Sequence, residues 1–268
     1  MIPAHVRYAR ASDVAHALEL LAEPESKVVA GGQSLIPVMK LRIARPSLVV
    51  DISLLALRGV EVRGTALRLG SLTTWDELAA APELRRPALA AIAECAHGIG
   101  DLQVRNRGTV GGGLAHADPA SDMPAVLLAL EATLQLQSPK GERVVPLADF
   151  ILGPFTTALD AQELIMNVLV PLPAPGSGSA YVAVEHPASG FALAGAAALS
   201  GPDGVSRVAL TGIAAQPLLL ADEDPATALA QIEIFDDRFA PAEYRRVLAA
   251  VVARRARELA AERAREDS

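Results

Sequence analysis

The amino-acid sequence predicts an α+β protein with a larger N-terminal domain and a smaller C-terminal domain. Two observations indicate this fold class. Short apolar runs of strand character alternate with runs of helical periodicity, and glycine turns lead from strand-like runs toward helices. A stretch rich in Pro, Gly and Ser at residues 173–179 (PAPGSGS) is typical of a linker. We therefore expect one domain over residues 1–172, a linker over 173–179 and a second domain over 180–268.

The composition excludes several classes of protein. The chain has 268 residues, 51% of them hydrophobic, which is enough for a large core. Its net charge of −7 disfavours binding to nucleic acid. Cys95 is the only cysteine, so the chain alone forms no disulfide and holds no iron–sulfur cluster, and no Cys/His spacing matches a zinc site. No apolar run reaches the roughly 20 residues of a membrane span, and the first residues lack an apolar signal core, so we expect a cytoplasmic protein.

The N-terminal region is expected to alternate strands, hairpins and short helices. Ser12 is a candidate cap of the first helix, and Thr74 of a later one. Residues 87–97 form a small-residue helix in which Cys95 is expected to be a buried side chain. Strands are predicted over residues 27–30, 48–52, 60–63, 66–70, 133–137, 143–147 and 164–171.

Two glycine turns stand out in this region. Residues 31–34 (GGQS) follow a strand and precede a helix, where Ser34 either caps the helix or bonds a phosphate oxygen. Residues 108–113 (GTVGGG) hold four glycines, and Asp118 with Pro119 reads as the cap of a helix over residues 124–132. Backbone N–H groups at such turns suit an anionic ligand such as a diphosphate. The alternative is that the glycines serve only to make tight turns. His116 breaks the G-x-G-x-x-G fingerprint, and no Walker motif follows.

The C-terminal region is expected to contain three strands and two helices. The strands lie at residues 180–184, 191–199 and 205–214, with a turn at residues 201–204. The longer helix begins near Pro241 and should bury an apolar face that includes Val247 and Val252. Its arginines and glutamates, Arg263 among them, are expected on a solvated face.

Several segments together resemble one family. They are residues 30–42 (AGGQSLIPVMKLR), 70–78 (GSLTTWDEL), 99–122 and 209–213 (ALTGI), with QVRNRGT ahead of the second glycine turn. Each turn alone is a weak signal, but both in this order resemble the flavin-binding medium subunit of molybdenum hydroxylases, a family that includes the carbon monoxide dehydrogenase medium subunit and the xanthine dehydrogenase FAD subunit.

The resemblance implies an FAD-binding fold of the vanillyl-alcohol-oxidase type, in which two α/β subdomains hold FAD in an extended pose. The two glycine turns would bind the pyrophosphate from both sides. Asp122 matches a carboxylate at the nucleotide end of FAD, and Leu164 and Ile165 match apolar residues near its rings. The implied cofactor-binding residues are Val29, Ala30, Gly31, Gly32, Gln33, Ser34, Thr109, Gly111, Gly112, Gly113, Asp122, Leu164, Ile165 and Phe191.

The resemblance also implies that the C-terminal domain, a three-stranded antiparallel sheet with helices, covers the isoalloxazine. Phe191 matches an aromatic residue beside that ring. The surrounding segment departs from the family pattern, because Gly190 stands in place of an acid and Pro187 in place of a basic residue.

The implied partners are a large subunit with a molybdenum cofactor and a small subunit with [2Fe–2S] clusters, assembled as a dimer of heterotrimers. Substrate would be hydroxylated on the large subunit. Electrons would pass through the clusters to FAD on this oxidoreductase subunit, and from FAD to an external acceptor. One cysteine in this chain agrees with clusters held elsewhere.

Two alternatives stay open at this stage. A stand-alone FAD-dependent oxidoreductase would need its own base, for which His97, His116 and His186 are the candidates, none with an evident partner. A binding subunit without flavin is disfavoured by the intact glycine turns. We assign no catalytic residue and no metal ligand to this chain.

Overall fold

The computed structural model describes residues 2–220 and 225–266, which form three β-sheets, a two-stranded ribbon and ten α-helices. The strands are β1 (Arg7–Arg10), β2 (Ser26–Val29), β3 (Leu48–Asp51), β4 (Val60–Arg63), β5 (Ala66–Gly70), β6 (Thr133–Ser138), β7 (Gly141–Pro146), β8 (Ile151–Gly153), β9 (Thr156–Thr157), β10 (Leu164–Pro171), β11 (Gly178–Glu185), β12 (Ala192–Ser200), β13 (Ser206–Thr211) and β14 (Leu218–Leu220). The helices are α1 (Val14–Leu20), α2 (Leu35–Lys40), α3 (Trp75–Ala80), α4 (Ala90–Gly98), α5 (Leu102–Arg105), α6 (Val110–His116), α7 (Met123–Ala129), α8 (Leu147–Phe150), α9 (Pro225–Ala230) and α10 (Ala242–Glu266).

The chain begins with a three-stranded parallel sheet in the order β1-β3-β2. Its central strand β3 is buried along its whole length and packs on Ala17 and Leu18 of α1. Sequence analysis did not predict β1, because its sequence RYAR has no apolar pattern and lies mostly exposed. The expected cap Ser12 is wrong: the carboxylate of Asp13 accepts the hydrogen bond from the His16 N–H at 2.9 Å, while the Ser12 hydroxyl donates to Asp13.

A five-stranded antiparallel sheet follows, in the order β4-β5-β10-β6-β7. Both predicted hairpins, β4 with β5 and β6 with β7, are confirmed, and β10 lies between them. Helix α3 begins with a capping box, in which the Thr74 hydroxyl accepts a hydrogen bond from the Glu77 N–H and the Glu77 carboxylate accepts one from the Thr74 N–H. Helices α3, α4, α6 and α7 share the largest core cluster with this sheet.

The second glycine segment, residues 108–113, forms the start of a helix instead of a loop. Thr109 occupies the N-cap of α6, and its hydroxyl accepts a hydrogen bond from the Gly112 N–H at 3.1 Å. The expected cap at Asp118 and Pro119 is wrong, because α7 starts later, with Asp122 at its N-cap position. Asp118 makes only a local turn, in which its side chain accepts a hydrogen bond from the Ala120 N–H at 2.9 Å.

The C-terminal sheet has four antiparallel strands in the order β11-β12-β13-β14, in place of the three expected. The additional edge strand β14 has only three residues and no alternating pattern, so the sequence carries little signal for it. Strand β11 begins at Gly178, inside the expected linker. The strand lies so close to α10 at this point that a Cβ on Gly178 would be 2.5 Å from the Ala264 backbone nitrogen, so only glycine fits.

Helix α10 packs on this sheet through alanines. Its buried residues are Arg245, Ala249, Val252, Ala253, Ala256, Ala260 and Ala264. The predicted face is wrong for Val247, which is 57% exposed, because the alanine- and glycine-rich strands let the helix approach through its smallest residues. Among the described residues, no helix combines the length and the apolar character that crossing a membrane requires.

The C-terminal sheet is joined to the N-terminal region through α4. The Ser179 hydroxyl accepts a hydrogen bond from the Ala91 N–H at 3.1 Å, and the Glu94 carboxylate accepts one from the Tyr181 N–H at 3.2 Å. Arg263 of α10 donates to Glu94 and, at 2.7 Å, to the Ser179 carbonyl. The expectation that Arg263 lies on a solvated face is therefore wrong, because the residue ties the two parts together.

Candidate functional site

The first glycine segment, residues 31–34, follows Ala30 at the carboxyl end of β2, at the edge of the parallel sheet. Val29, at the end of β2, lies beside Asp51, at the end of β3, which in turn pairs with Arg10 at the end of β1. Ligands of open α/β sheets bind at this edge, because the loops that leave parallel strands converge there. The parallel sheet therefore places the first glycine segment where a ligand is expected.

This segment offers several backbone donors. Among the described residues, the N–H groups of Gly31, Gly32, Gln33 and Ser34 have no intramolecular acceptor. Gly32 has φ +75°, a conformation that other residues adopt only with strain. The Ser34 side chain makes no capping bond to α2. Four consecutive unpaired backbone donors are an arrangement that suits an anionic ligand.

The two glycine segments touch each other. A Cβ on Gly31 would overlap the carbonyl oxygen of Arg107 and lie 2.6 Å from its carbonyl carbon and 3.0 Å from the Gly108 Cα. A Cβ on Gly112 would lie 4.0 Å from that of Ala30. The segments, about 80 residues apart in the sequence, are therefore held in direct backbone contact by the lack of side chains.

Four backbone N–H groups of the second segment already donate hydrogen bonds to other atoms of the protein. Those of Val110, Gly111, Gly112 and Gly113 donate to Thr73 O (3.0 Å), Ser71 O (2.8 Å), Thr109 Oγ1 (3.1 Å) and Thr109 O (2.9 Å). Its glycines serve close packing. A Cβ on Gly111 would lie 2.7 Å from that of Ser71, and one on Gly113 would lie 2.8 Å from the Trp75 ring. None of these glycines has a positive φ, so proximity, not turn geometry, requires them.

Two clefts flank the contact between the segments. The larger, about 460 Å³, lies over the first segment and the parallel sheet, and the smaller, about 100 Å³, lies toward Thr109. The larger is lined by Val29, Ala30, Gly31, Gly32 and Gln33 together with Tyr8, Ile36, Pro37, Lys40, Val49, Asp51 and Arg107. Lys40 and Arg107 are exposed and form no ion pair among the described residues. Apolar walls, free N–H groups and two cations suit a ligand with an anionic centre and a planar end.

One carboxylate is held charged at the edge of the larger cleft. Asp51 is 7% exposed and accepts hydrogen bonds from the Tyr8 hydroxyl at 2.5 Å and the Ser53 N–H at 2.8 Å. Burial opposes ionisation, but these hydrogen bonds outweigh it and lower the pKa of Asp51. The carboxylate oxygens of Asp51 are engaged in these hydrogen bonds, so Asp51 holds the Tyr8 side chain and connects the ends of β1 and β3.

Asp122 lies away from these clefts, where the N-terminal region meets the C-terminal sheet. Its carboxylate accepts a hydrogen bond from the Tyr181 hydroxyl of β11. Burial raises the pKa of Asp122 to about 6, against the effect of that hydrogen bond. The side chain makes no capping bond to α7.

The remaining expected site residues are dispersed. Leu164 and Ile165 are both buried in β10, but they belong to different core clusters: Leu164 packs with Leu72, which lines the smaller cleft, and Ile165 faces the larger core. Phe191 is half exposed at the turn between β11 and β12, where its carbonyl accepts a hydrogen bond from the His186 N–H at 2.8 Å.

Two of the three candidate histidines contact aromatic rings. His116 lies against Phe155 in a tilted arrangement with ring centroids 5.2 Å apart, and His186 meets Phe239 edge-on at 5.0 Å. Neither histidine lines the two clefts. Within residues 2–220 and 225–266, no group of three His, Cys, Asp or Glu side chains is placed to hold a metal ion.

Sequence analysis missed the charged and aromatic residues of the site. Lys40, Arg107 and Tyr8 line the larger cleft, Arg58 lines the smaller one, and Tyr181 holds Asp122. A signal existed for Arg107, which directly precedes a glycine turn, and for Asp51, which ends a strand. Tyr8 and Tyr181 depend on contacts across 43 and 59 residues of sequence, which no local pattern reveals.

Comparison with known proteins identifies a matching family model and similar chains. Residues 4–173 match the family model described as "FAD binding domain in molybdopterin dehydrogenase". The match covers both glycine segments, both hairpins and the whole of β10.

Individual relatives are similar along much of the chain. The carbon monoxide dehydrogenase medium chain of Hydrogenophaga pseudoflava is 38% identical over 80% of this chain and 77% of its own length. That of Afipia carboxidovorans is 34% identical over 99% of this chain and 100% of its own length. In three dimensions, a chain of the Hydrogenophaga pseudoflava carbon monoxide dehydrogenase superposes with a TM-score of 0.93 at 35% identity, over 98% of this chain and 99% of that one.

Proposed function

The chain belongs to the family of FAD-binding domains of molybdopterin dehydrogenases, and on that premise we propose that it is the FAD-binding, electron-transferring medium subunit of a molybdenum-containing hydroxylase. The observation that carries this proposal is the backbone contact between Gly31 and residues 107–108, which sets four unpaired N–H groups beside a cleft of about 460 Å³. Such a site suits a dinucleotide diphosphate.

The chain's residues have distinct roles toward the cofactor. We assign the diphosphate to the N–H groups of Gly31, Gly32, Gln33 and Ser34, with Lys40 and Arg107 supplying positive charge at the cleft. When bound, FAD would supply the redox chemistry that connects the iron–sulfur clusters of a partner subunit with an external electron acceptor. Val29 and Ala30 line the same cleft.

The second glycine segment supports the first. Gly111 and Gly113 let α6 approach Ser71 and Trp75, which places Thr109 and Gly112 beside Ala30. We propose that Thr109 and Gly112 bound the diphosphate site from the other side, while Asp122, Leu164, Ile165 and Phe191 belong to the nucleotide and ring ends of the cofactor. The arrangement proposed is the two-subdomain fold of the vanillyl-alcohol-oxidase type over residues 1–172, with residues 180–268 as a cover for the flavin.

The proposed assembly joins this chain to a large subunit with the molybdenum cofactor and a small subunit with [2Fe–2S] clusters, as a dimer of heterotrimers. The relatives named above are medium chains of carbon monoxide dehydrogenases, which supports a multi-subunit complex. Copurification of the native complex with metal and acid-labile sulfide analysis tests this assembly: molybdenum and iron recovered with partner chains support it, and a chain isolated alone without metal contradicts it.

The cofactor assignment is tested by flavin content. We expect purified chain to be yellow and to release one FAD per chain on denaturation. We also expect Gly112→Asp to lose FAD while the fold is kept, because its carboxylate would face Ala30 and repel the diphosphate. Gly112→Ala is the matched control, since it adds the same Cβ beside Thr109 without the charge. A colourless wild-type chain that takes up no added FAD would overturn the proposed function, and full flavin content in Gly112→Asp would remove Gly112 from the site.

A further inference from the structure

Tyr181 reaches from the C-terminal sheet to Asp122 in the N-terminal region. Its hydroxyl donates a hydrogen bond to the Asp122 Oδ1. Asp122 stands at the N-cap position of α7 but does not cap that helix, so its carboxylate is not committed to the helix start. The hydrogen bond with Tyr181 therefore orients the carboxylate.

The sheet is shaped to admit this tyrosine. Gly195 of β12 lies against the ring, and a Cβ there would overlap the Tyr181 hydroxyl and come within 3.1 Å of the ring carbon that carries it. Any other residue at position 195 would displace the hydroxyl from Asp122. The glycine thus keeps space for one specific hydrogen bond.

Neighbouring contacts hold the backbone that carries Asp122. The Thr211 hydroxyl donates to the Ser121 carbonyl at 2.6 Å, and the Gly212 N–H donates to the Pro119 carbonyl at 3.2 Å. Both donors belong to the end of β13 and the turn after it. The C-terminal sheet therefore holds the main chain before Asp122 as well as its side chain.

The carboxylate is surrounded by groups that oppose its charge. Besides burial, Glu185 of β11 and Asp118 raise the pKa of Asp122. Asp122 and Glu94 both raise the pKa of the Cys95 thiol on α4, and Glu94 is itself paired with Arg263 of α10. The hydrogen bond from Tyr181 acts in the opposite direction, because it favours the ionised form.

We propose that Tyr181 is a positioning residue for the cofactor: its hydroxyl holds the Asp122 carboxylate in the orientation that bonds the bound flavin nucleotide, so that the C-terminal sheet sets the FAD affinity of the N-terminal domain. This inference rests on the proposed function, and it adds a residue that contacts Asp122 instead of the cofactor.

The test measures FAD binding to the deflavinated full-length chain between pH 5 and 8. We expect Tyr181→Phe to raise the Kd for FAD about tenfold at pH 7, the usual effect of losing a hydrogen bond to a charged group. Tyr244→Phe is the matched control, since Tyr244 is exposed on α10 and distant in sequence from the contact. We expect its Kd to equal that of the wild type.

Two readouts separate positioning from a general structural effect. The FAD affinity should fall as the pH drops through the pKa of Asp122, and in Tyr181→Phe the midpoint should move to higher pH because the ionised form has lost its donor. In an Asp122→Ala background, Tyr181→Phe should have no further effect. Thermal melting of each apo variant verifies that it is folded.

Each failure is distinguishable. An unchanged Kd and midpoint in Tyr181→Phe, or the same tenfold loss in the Asp122→Ala background, would overturn the positioning role and leave the proposed function intact. A folded wild-type chain that binds no FAD would overturn the proposed function itself.

Discussion

The two glycine segments of this protein use the same residue for different physical ends. In residues 31–34, glycine leaves N–H groups unpaired at the edge of a parallel sheet. In residues 108–113, the N–H groups of the last four residues are already bonded, and glycine serves to bring α6 against Ser71 and Trp75. The number of glycines in a segment therefore does not indicate how many of its backbone N–H groups are free to bind a ligand. The first segment offers free donors to the proposed ligand, and the second packs against the first.

The largest effect on stability and flavin binding is expected from a substitution of Gly31, where the two segments touch. We expect Gly31→Ala to separate the segments, because its Cβ would overlap the backbone of Arg107, and to lower the free energy of unfolding by about 3 kcal/mol. FAD should be lost on purification. Gly98→Ala is the control, since a Cβ there lies 3.7 Å from its nearest neighbour, Glu185 Oε1. Urea unfolding and flavin content give both quantities, and a Gly31→Ala chain with wild-type stability and flavin would contradict the contact.

Beyond α6, the chain reaches Asp122, where a half-buried acid links stability to pH. Its folded-state pKa of about 6 is above the ordinary value of 3.8, so the folded state binds a proton that the unfolded state releases. The contribution to stability is present below about pH 4 and is lost as the pH rises through about 6. We expect apo Asp122→Asn to be more stable than wild type by ~2 kcal/mol at pH 7.5. The difference should vanish below pH 4 in thermal melts, and a constant difference would refute the raised pKa.

The cap of α6 distinguishes a structural from a binding role for the second segment. We expect Thr109→Ala to cost about 1 kcal/mol, because the Gly112 N–H loses its acceptor. Thr109→Ser keeps the hydroxyl and should retain wild-type stability. Chemical denaturation of the apo chain measures the effect. Loss of FAD affinity in Thr109→Ala without loss of stability would instead make Thr109 a direct ligand.

The smallest effect is expected at Ser71, against which Gly111 packs. The Ser71 Oγ is buried and has no hydrogen-bond partner among the described residues. We expect Ser71→Ala to raise the free energy of unfolding by up to about 1 kcal/mol, because an unsatisfied hydroxyl is removed. Thr73→Val should do the reverse, since the Thr73 hydroxyl bonds Gly59 at 2.9 Å and 3.1 Å. A destabilised Ser71→Ala would reveal a partner for this hydroxyl.

The sequence was most informative where local chemistry decides structure. The hairpins β4–β5 and β6–β7, the capped helix α3 and the strand–turn–helix unit at residues 27–40 carry turn and cap residues that act over a few positions. The first glycine segment belongs to this group, which is why its place at the carboxyl end of a strand was predictable.

The rest depends on packing between distant segments. Strand β1 is polar, and it pairs because β3 offers an open edge. Asp118 with Pro119 resembles a helix cap, but α7 begins only at Met123, and the glycines before Asp118 belong to α6, which Thr109 caps. Those positions are glycine because Ser71 and Trp75 leave no room for a side chain. The buried alanine face of α10 follows from small residues in β12, and the Tyr181–Asp122 hydrogen bond joins residues 59 positions apart.

The most direct test of the account is hydrogen exchange of individual backbone amides with and without FAD. We predict that the amides of residues 31–34 exchange quickly in the apo chain and become strongly protected when FAD is bound. Those of residues 110–113 should be protected in both states, because their hydrogen bonds are internal. Protection gained at residues 110–113 but not at 31–34 would contradict the assignment of the diphosphate to the first segment.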